Sequence, residues 1–78
     1  MGKTKRPYPR KLARKLRQVR TRAGLSQTEI AKKVGVANRS SIAGYESGER
    51  EPPLPTLLKY ARLAGVTVDV LIDDKAKL

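Results

Sequence analysis

The sequence predicts an all-α fold: a compact bundle of five short helices behind an extended basic N-terminal arm. Three stretches with helical spacing of apolar residues end at Gly24, Gly35 and Gly48, and glycine suits the left-handed backbone that often ends a helix. Aromatic residues are scarce, with three Tyr and no Phe or Trp among 78 residues. The core must therefore consist of Leu, Ile, Val and Ala, which suits short helices in close contact. A chain of this length forms one domain.

The first helix follows a segment without periodicity. Residues 1–9 are basic and contain Pro7 and Pro9, so we expect a flexible arm there. Helix one is predicted from about Pro9 or Arg10 to Ala23. The apolar residues that recur with the period of a helix are Leu12, Leu16, Val19 and Ala23.

The second helix has the clearest local signal. Ser26 is a good N-cap, and Glu29 three residues later completes a capping box. Leu25 is placed to pack on Ile30 across this cap, and Gly35 ends the helix. The buried stripe is predicted to be Ile30, Ala31 and Val34.

The third segment, 36–47, carries Ile42 and Tyr45 at helical spacing and stops at Gly48. Its start stays open, because three residues suit the N-cap position: Asn38, Ser40 and Ser41.

Two further helices complete the domain, which we expect at residues 10–73 with a tail at 74–78. Helix four is predicted to begin near Leu54-Pro55, since proline is tolerated in a first helical turn. Thr67 is a candidate cap for a last helix at 68–72, which Asp73 and Asp74 should end by opposing the helix dipole. The residues that helix four should bury are Leu57, Leu58, Ala61 and Ala64.

Positive charge is concentrated at the start of the chain. The formal net charge is +11. The region 3–22 contains no acidic residue and ten basic ones: Lys3, Lys5, Arg6, Arg10, Lys11, Arg14, Lys15, Arg17, Arg20 and Arg22. This distribution is typical of a contact surface for a polyanion. The alternative is a solubilising tail beside a solvated helix face.

The composition argues against catalysis. Without Cys or His there is no disulfide, no thiolate metal site and no common nucleophile–base pair or zinc chemistry. We expect no enzyme activity, cofactor, metal or small-molecule ligand. No apolar run approaches the roughly 18 residues of a membrane span. No apolar segment follows the basic N-terminal residues, so they are not a secretory signal peptide. The expected location is therefore cytoplasmic.

A set of motifs runs in order through residues 16–72. They are Leu16-Arg17-Gln18-Val19-Arg20, Gly24-Leu25-Ser26-Gln27, Ile30-Ala31, Val34-Gly35-Val36, Ile42, Tyr45-Glu46-Ser47-Gly48, Pro53, Leu57-Leu58 and Leu63-Ala64-Gly65-Val66. The set resembles the Cro/C1-type helix-turn-helix family of phage repressors and bacterial regulators, the XRE family. The resemblance implies five short helices, the third of which reads the DNA major groove.

The resemblance also implies roles for single residues. Gln27, followed by Thr28, matches the start of helix two, where the family glutamine binds DNA phosphate and braces the reading helix. The alternative is an ordinary polar residue in a first helical turn. Arg20 and Glu46 match a largely buried ion pair, which we count as structural.

The reading face departs from the family pattern. One extra residue lies between Gly35 and Tyr45, and Ala43 and Gly44 stand where long base-reading side chains are usual. Alanine can meet a thymine methyl group. Gly44 either lets the backbone approach the duplex or marks weak specificity.

Direct readout is then left to the start of helix three. Arg39 suits guanine and Asn38 suits adenine, while Ser40 and Ser41 suit phosphate. Plain helix capping is the alternative for Asn38 and one serine. The other expected DNA contacts are Arg50, Lys3, Lys5, Arg6 and Arg10.

These features favour a DNA-binding transcriptional regulator, associated with the bacterial nucleoid or a phage. Double-stranded DNA is the expected partner, and a homodimer, formed in solution or only on DNA, is expected through Leu63, Val68 and Leu71. The main alternative is an antitoxin-like or protein-interaction component with autoregulatory DNA binding. RNA binding is disfavoured because the chain has few aromatic residues on which bases could stack. Binding to a membrane surface is disfavoured because the basic helix has no large aromatic residue to anchor it.

Overall fold

Five helices surround one apolar core in the computed structural model, which describes residues 9–78. They are α1 (Leu12–Arg22), α2 (Gln27–Lys33), α3 (Arg39–Ser47), α4 (Leu54–Ala64) and α5 (Val68–Ile72). The predicted all-α fold is confirmed. Within residues 9–78, no helix has the length and apolar character needed to cross a membrane. The expectations for the basic arm at Lys3, Lys5 and Arg6 lie outside the described residues.

Local signals set most helix ends. The capping box forms as predicted: the Glu29 N–H donates to Ser26 Oγ at 3.0 Å, and the Ser26 N–H donates to Glu29 Oε1 at 2.8 Å. The hydrogen bond from the Ser26 backbone to the Glu29 carboxylate is the main cause that lowers the pKa of Glu29. Gly48 and Gly65 follow α3 and α4 with φ of +86° and +72°, where a side chain would be strained. Thr67 precedes α5 but makes no side-chain cap, contrary to expectation.

Helix α1 begins later than predicted, at Leu12, and its start is capped from a distant part of the chain. The backbone N–H groups of Arg10 and Lys11 each donate to the Asp74 carboxylate at 3.0 Å. A carboxylate is favourable beside the unpaired N–H groups of a helix start. The segment expected as a tail therefore packs on the domain, and Leu78 also contacts the core.

The end of α5 is in turn capped by a side chain of α1. Lys15 of α1 is only 4% exposed, and its ammonium donates to the carbonyls of Val70 at 2.7 Å and Asp73 at 2.8 Å. Val70 is in the last turn of α5 and Asp73 is its C-cap, where carbonyls lack partners within the helix. The Asp73 carbonyl also accepts from the Ala76 N–H at 2.9 Å. Helices α1 and α5 thus cap one another.

Two expectations about apolar residues are wrong: Leu58 in the core and Leu71 on the dimer surface. Leu58 is 39% exposed, and Tyr60 is fully buried instead, because α4 turns Leu57, Tyr60 and Ala61 inward at i, i+3 and i+4. Leu71 is also fully buried, so it belongs to the core and cannot form a dimer surface.

The hydroxyl of Tyr60 has no hydrogen-bond partner among the described residues. Burial also raises the pKa of Tyr60, because the ionised phenolate would be poorly solvated in the core. An unpaired buried hydroxyl opposes folding, so we expect Tyr60→Phe to raise the free energy of unfolding by about 1 kcal/mol. Thermal unfolding followed by circular dichroism measures this, and a lower melting temperature would contradict it.

Asp74 should make stability depend on acidity. Hydrogen bonds from the Lys11 and Arg10 backbone lower the pKa of Asp74 below its ordinary value near 3.8. Since the folded pKa is the lower one, the stabilisation is complete above the unfolded value and disappears as pH falls through the folded value. We expect Asp74→Ala to destabilise the protein at about pH 6. Urea unfolding should show this difference shrinking as the pH falls below the ordinary Asp74 value of 3.8, whereas an equal difference at neutral and acidic pH would refute it.

Candidate nucleic-acid interface

Helices α2 and α3 form a tight helical pair joined by residues 34–38. Gly35 turns the chain with φ of +75°, and the Val36 N–H donates to the Ala31 carbonyl at 2.8 Å. Asn38 then caps α3, its Oδ1 accepting from the N–H groups of Ser40 at 3.1 Å and Ser41 at 3.4 Å. Of the three candidate N-caps, Asn38 is therefore the one that starts α3.

An ion pair fixes α3 against α1 and α2. Arg20 Nε donates to Glu46 Oε2 at 2.7 Å, and a second guanidinium nitrogen donates to Oε1 at 3.1 Å. Arg20 also donates to the Leu25 carbonyl at 3.1 Å, and Gln27 Nε2 donates to Glu46 Oε1 at 3.3 Å. The Arg20 and Glu46 side chains are 16% and 7% exposed. The expected structural pair is present, and the hydrogen bond to Glu46 raises the pKa of Arg20.

The outer face of α3 carries short polar side chains. Arg39 and Ser40 are exposed in its first turn, and Ser41 and Ala43 are half-buried. Ser47 is exposed two turns beyond Ser40 on the same face, a position that the sequence reasoning missed although the i, i+7 spacing indicates it.

The cap limits what Asn38 can recognise. Adenine recognition uses the side-chain oxygen as an acceptor and the nitrogen as a donor. In the structure that oxygen already accepts from Ser40 and Ser41. The arrangement therefore corresponds to the capping alternative.

Gly44 is buried rather than open to a ligand. A Cβ atom built on it would lie 2.9 Å from Cδ and 3.1 Å from Cγ of Arg50, whose stem covers this part of α3. The idea that Gly44 lets a duplex approach the α3 backbone is therefore wrong, because another side chain fills that space.

The basic residues of α1 do not form one surface. Ala13 and Arg20 lie on the face of α1 that meets the end of α3. Arg17 is four residues after Ala13 and three before Arg20, so it lies on the same face. Lys15 is buried and caps α5. A separate groove against the C-terminal segment is lined by Lys11, Arg14, Gln18, Arg22 and Lys77.

At the start of α2, Gln27 is half-buried while Thr28 is exposed. Arg10 is exposed ahead of α1. The structure thus places Gln27 and Thr28 at the start of α2 and Arg39 and Ser40 at the start of the adjoining α3. Arg50 follows the end of α3, and its side chain runs back over Gly44 to Ser41. Groups with N–H donors and positive charge at two helix starts can bind an anionic backbone.

Known proteins share this sequence pattern. A family profile described as helix-turn-helix matches residues 16–71. YobD, an uncharacterized HTH-type transcriptional regulator of Bacillus subtilis, is 41% identical over 58 residues, which are 74% of this chain and 51% of YobD. The regulator ImmR of the same organism is 36% identical over 61 residues, 78% of this chain and 47% of ImmR. The chain thus spans about half the length of these curated relatives. A weaker match, 33% identical over 64 residues, is antitoxin HigA1 of Mycobacterium tuberculosis, covering 82% of this chain and 42% of HigA1.

Solved structures share the fold. The P22 c2 repressor in complex with a synthetic operator superposes with a TM-score of 0.73 at 25% identity, covering 81% of this chain and 94% of the repressor chain. SinR in complex with SinI gives a TM-score of 0.72 at 31% identity, with coverages of 82% and 62%. The profile covers residues 16–71, most of the chain. The chain therefore belongs to the Cro/C1-type helix-turn-helix family.

Proposed function

We propose that this chain is the DNA-binding unit of a transcriptional regulator, acting in the cytoplasm on bacterial or phage DNA. The observation that carries the proposal is the exposed start of α3 at Arg39 and Ser40, on a helix whose other end is held against the start of α2 by the Arg20–Glu46–Gln27 network. The matching of a repressor solved on operator DNA supports it. In this arrangement α3 lies in the major groove and the start of α2 faces phosphate.

Charge supports DNA as the partner. The chain carries a net charge of +11. Exposed arginines stand at the start of α3 (Arg39), just after α3 (Arg50), on α1 (Arg17) and ahead of α1 (Arg10). Such residues bind phosphates with release of counterions. Lys3, Lys5 and Arg6 would add phosphate contacts from the N-terminal segment.

Selection of bound sites from random duplex DNA tests this function. We expect an enriched sequence, and an affinity whose logarithm falls with the logarithm of salt concentration by about 0.9 for each phosphate contacted. Absence of any enriched site together with a flat salt response would refute the proposal.

Arg39 tests the role of α3 within that function. We expect Arg39→Ala to remove discrimination at one base pair of the selected site, a loss of about 1–3 kcal/mol at that pair, with other positions unchanged. Fluorescence anisotropy on the selected duplex and its single-pair variants measures this. Arg62→Ala, an exposed cation on α4, is the matched control and should leave base preference intact. Unchanged preference in Arg39→Ala would exclude readout by this residue.

A second protein chain is the other candidate partner. The structure of SinR with SinI and the weaker match to an antitoxin favour it. Leu54 is 67% exposed and Ile72 is 41% exposed. Both line a groove whose other lining residues are Pro9, Glu51, Pro52, Pro53 and Leu57. We propose this groove, in place of the surface containing Leu71, for homodimer contacts on adjacent half-sites. Sedimentation with and without a duplex of two half-sites tests it, and a stoichiometry of one chain per duplex would contradict it.

A further inference from the structure

Helix α3 offers little of its own to recognise bases beyond its first residue. The face opposite Ile42 and Tyr45 carries serine and alanine side chains and one bare glycine backbone. Serine hydroxyls reach only a short distance, and they bond to phosphates as readily as to bases. A long side chain is therefore missing from the middle of this face.

Arg50 occupies that place from outside the helix. Its backbone N–H donates to the Gly44 carbonyl at 3.1 Å, which folds the chain back onto the end of α3. Its Cβ, Cγ and Cδ then run over Gly44, at 3.5, 3.1 and 2.9 Å from where a Cβ of residue 44 would be. One helical turn towards the start of α3, a guanidinium nitrogen donates to Ser41 Oγ at 3.4 Å.

This path carries the cation away from its own loop. Glu49 and Glu51 flank Arg50 in sequence, but its guanidinium lies beside the first turn of α3. That turn contains no acidic residue and already has Arg39 at its start. A cation at a helix N-terminus is opposed by the helix dipole, so two of them there favour an electron-rich ligand.

We propose that Arg50 is a specificity-determining residue, which reads guanine in the major groove because Gly44 lets its stem lie against the α3 backbone. The guanidinium fork matches the O6 and N7 acceptors of guanine. Gly44 is the positioning residue: a methyl group there would overlap the Arg50 stem and displace it. This inference rests on the proposed DNA binding and names the residue that completes its reading surface.

The test compares affinities for the selected duplex and for its single-pair variants. In the parent we expect one G·C pair per half-site at which substitution weakens binding about tenfold. Arg50→Ala should abolish this discrimination while preferences elsewhere in the site remain. Gly44→Ala should reduce it too, yet add no further loss in the Arg50→Ala background, because both changes remove one interaction.

Folding is monitored separately. Alanine is the better helix former, so Gly44→Ala should melt no lower than the parent, and any loss of discrimination then reflects the position of Arg50. Arg62→Ala is the control for a lost surface charge.

Two results would overturn the inference while leaving DNA binding intact. Arg50→Ala weakening all duplexes equally would assign Arg50 to phosphate. Additive losses in the double variant would separate Gly44 from Arg50. A parent that prefers no duplex would instead refute the proposed function itself.

Discussion

Arg20→Met is expected to lower the free energy of unfolding by about 3 kcal/mol. Methionine retains most of the volume of the arginine side chain, so the loss reflects charge and hydrogen bonding. Without Arg20, the Glu46 carboxylate, only 7% exposed, keeps Gln27 as its remaining side-chain partner, and the Leu25 carbonyl loses its donor. An uncompensated buried charge is costly because the interior solvates it poorly.

Equilibrium unfolding in urea measures this change, and in a domain of this size the melting temperature should fall by roughly 12–24 °C. Arg17→Met is the matched control, since Arg17 is exposed on the same helix and should cost less than about 0.5 kcal/mol. The double variant Arg20→Met, Glu46→Leu should recover much of the loss, because an apolar pair avoids desolvating two charges. A single variant as stable as the parent would show that the pair contributes nothing.

Lys15→Met is expected to destabilise the protein by about 2 kcal/mol, although it places an apolar side chain at a buried position. The Lys15 ammonium donates to the carbonyls of Val70, in the last turn of α5, and of Asp73, its C-cap. Hydrogen bonds from a charged donor are stronger than neutral ones, and methionine leaves both acceptors without this donor. The end of α5 should therefore open more readily.

Urea unfolding gives the global effect, and hydrogen exchange at the Asp73 amide gives the local one. That amide donates to the Asp69 carbonyl at 2.9 Å and should exchange faster in the variant. Arg14→Met, an exposed neighbour on α1, should change neither quantity. Unaltered exchange at Asp73 would contradict the capping role of Lys15.

Short-range chemistry explains why so much of the fold was predictable. The Ser26–Glu29 capping box spans three residues, and the glycines after α3 and α4 act through their own backbone angles. Helix α5 was predicted with the bounds that the structure has. Such signals depend on groups a few bonds apart, so the order of residues suffices to identify them.

The contacts that shape the surface join residues far apart along the chain. Asp74 caps α1 across more than sixty positions, and Lys15 caps α5 across more than fifty. A hydropathy pattern assigns a lysine to solvent and cannot show which helix end needs a donor. Leu58 is exposed and Tyr60 is buried for a similar reason, since the rotation of α4 depends on what packs against it.

The candidate interface likewise combines features that the sequence predicts with one that it does not. The position of the α2–α3 pair and the exposure of Arg39 followed from caps and spacing that the residues themselves carry. The covering of Gly44 by Arg50 could not be predicted from the sequence, because a glycine does not indicate which neighbouring side chain will occupy the space beside it. Local hydrogen bonds and backbone angles specified where each helix begins and ends. Packing in three dimensions assigned the partners of Lys15, Asp74 and Arg50, since each lies on a chain segment that only folding brings near.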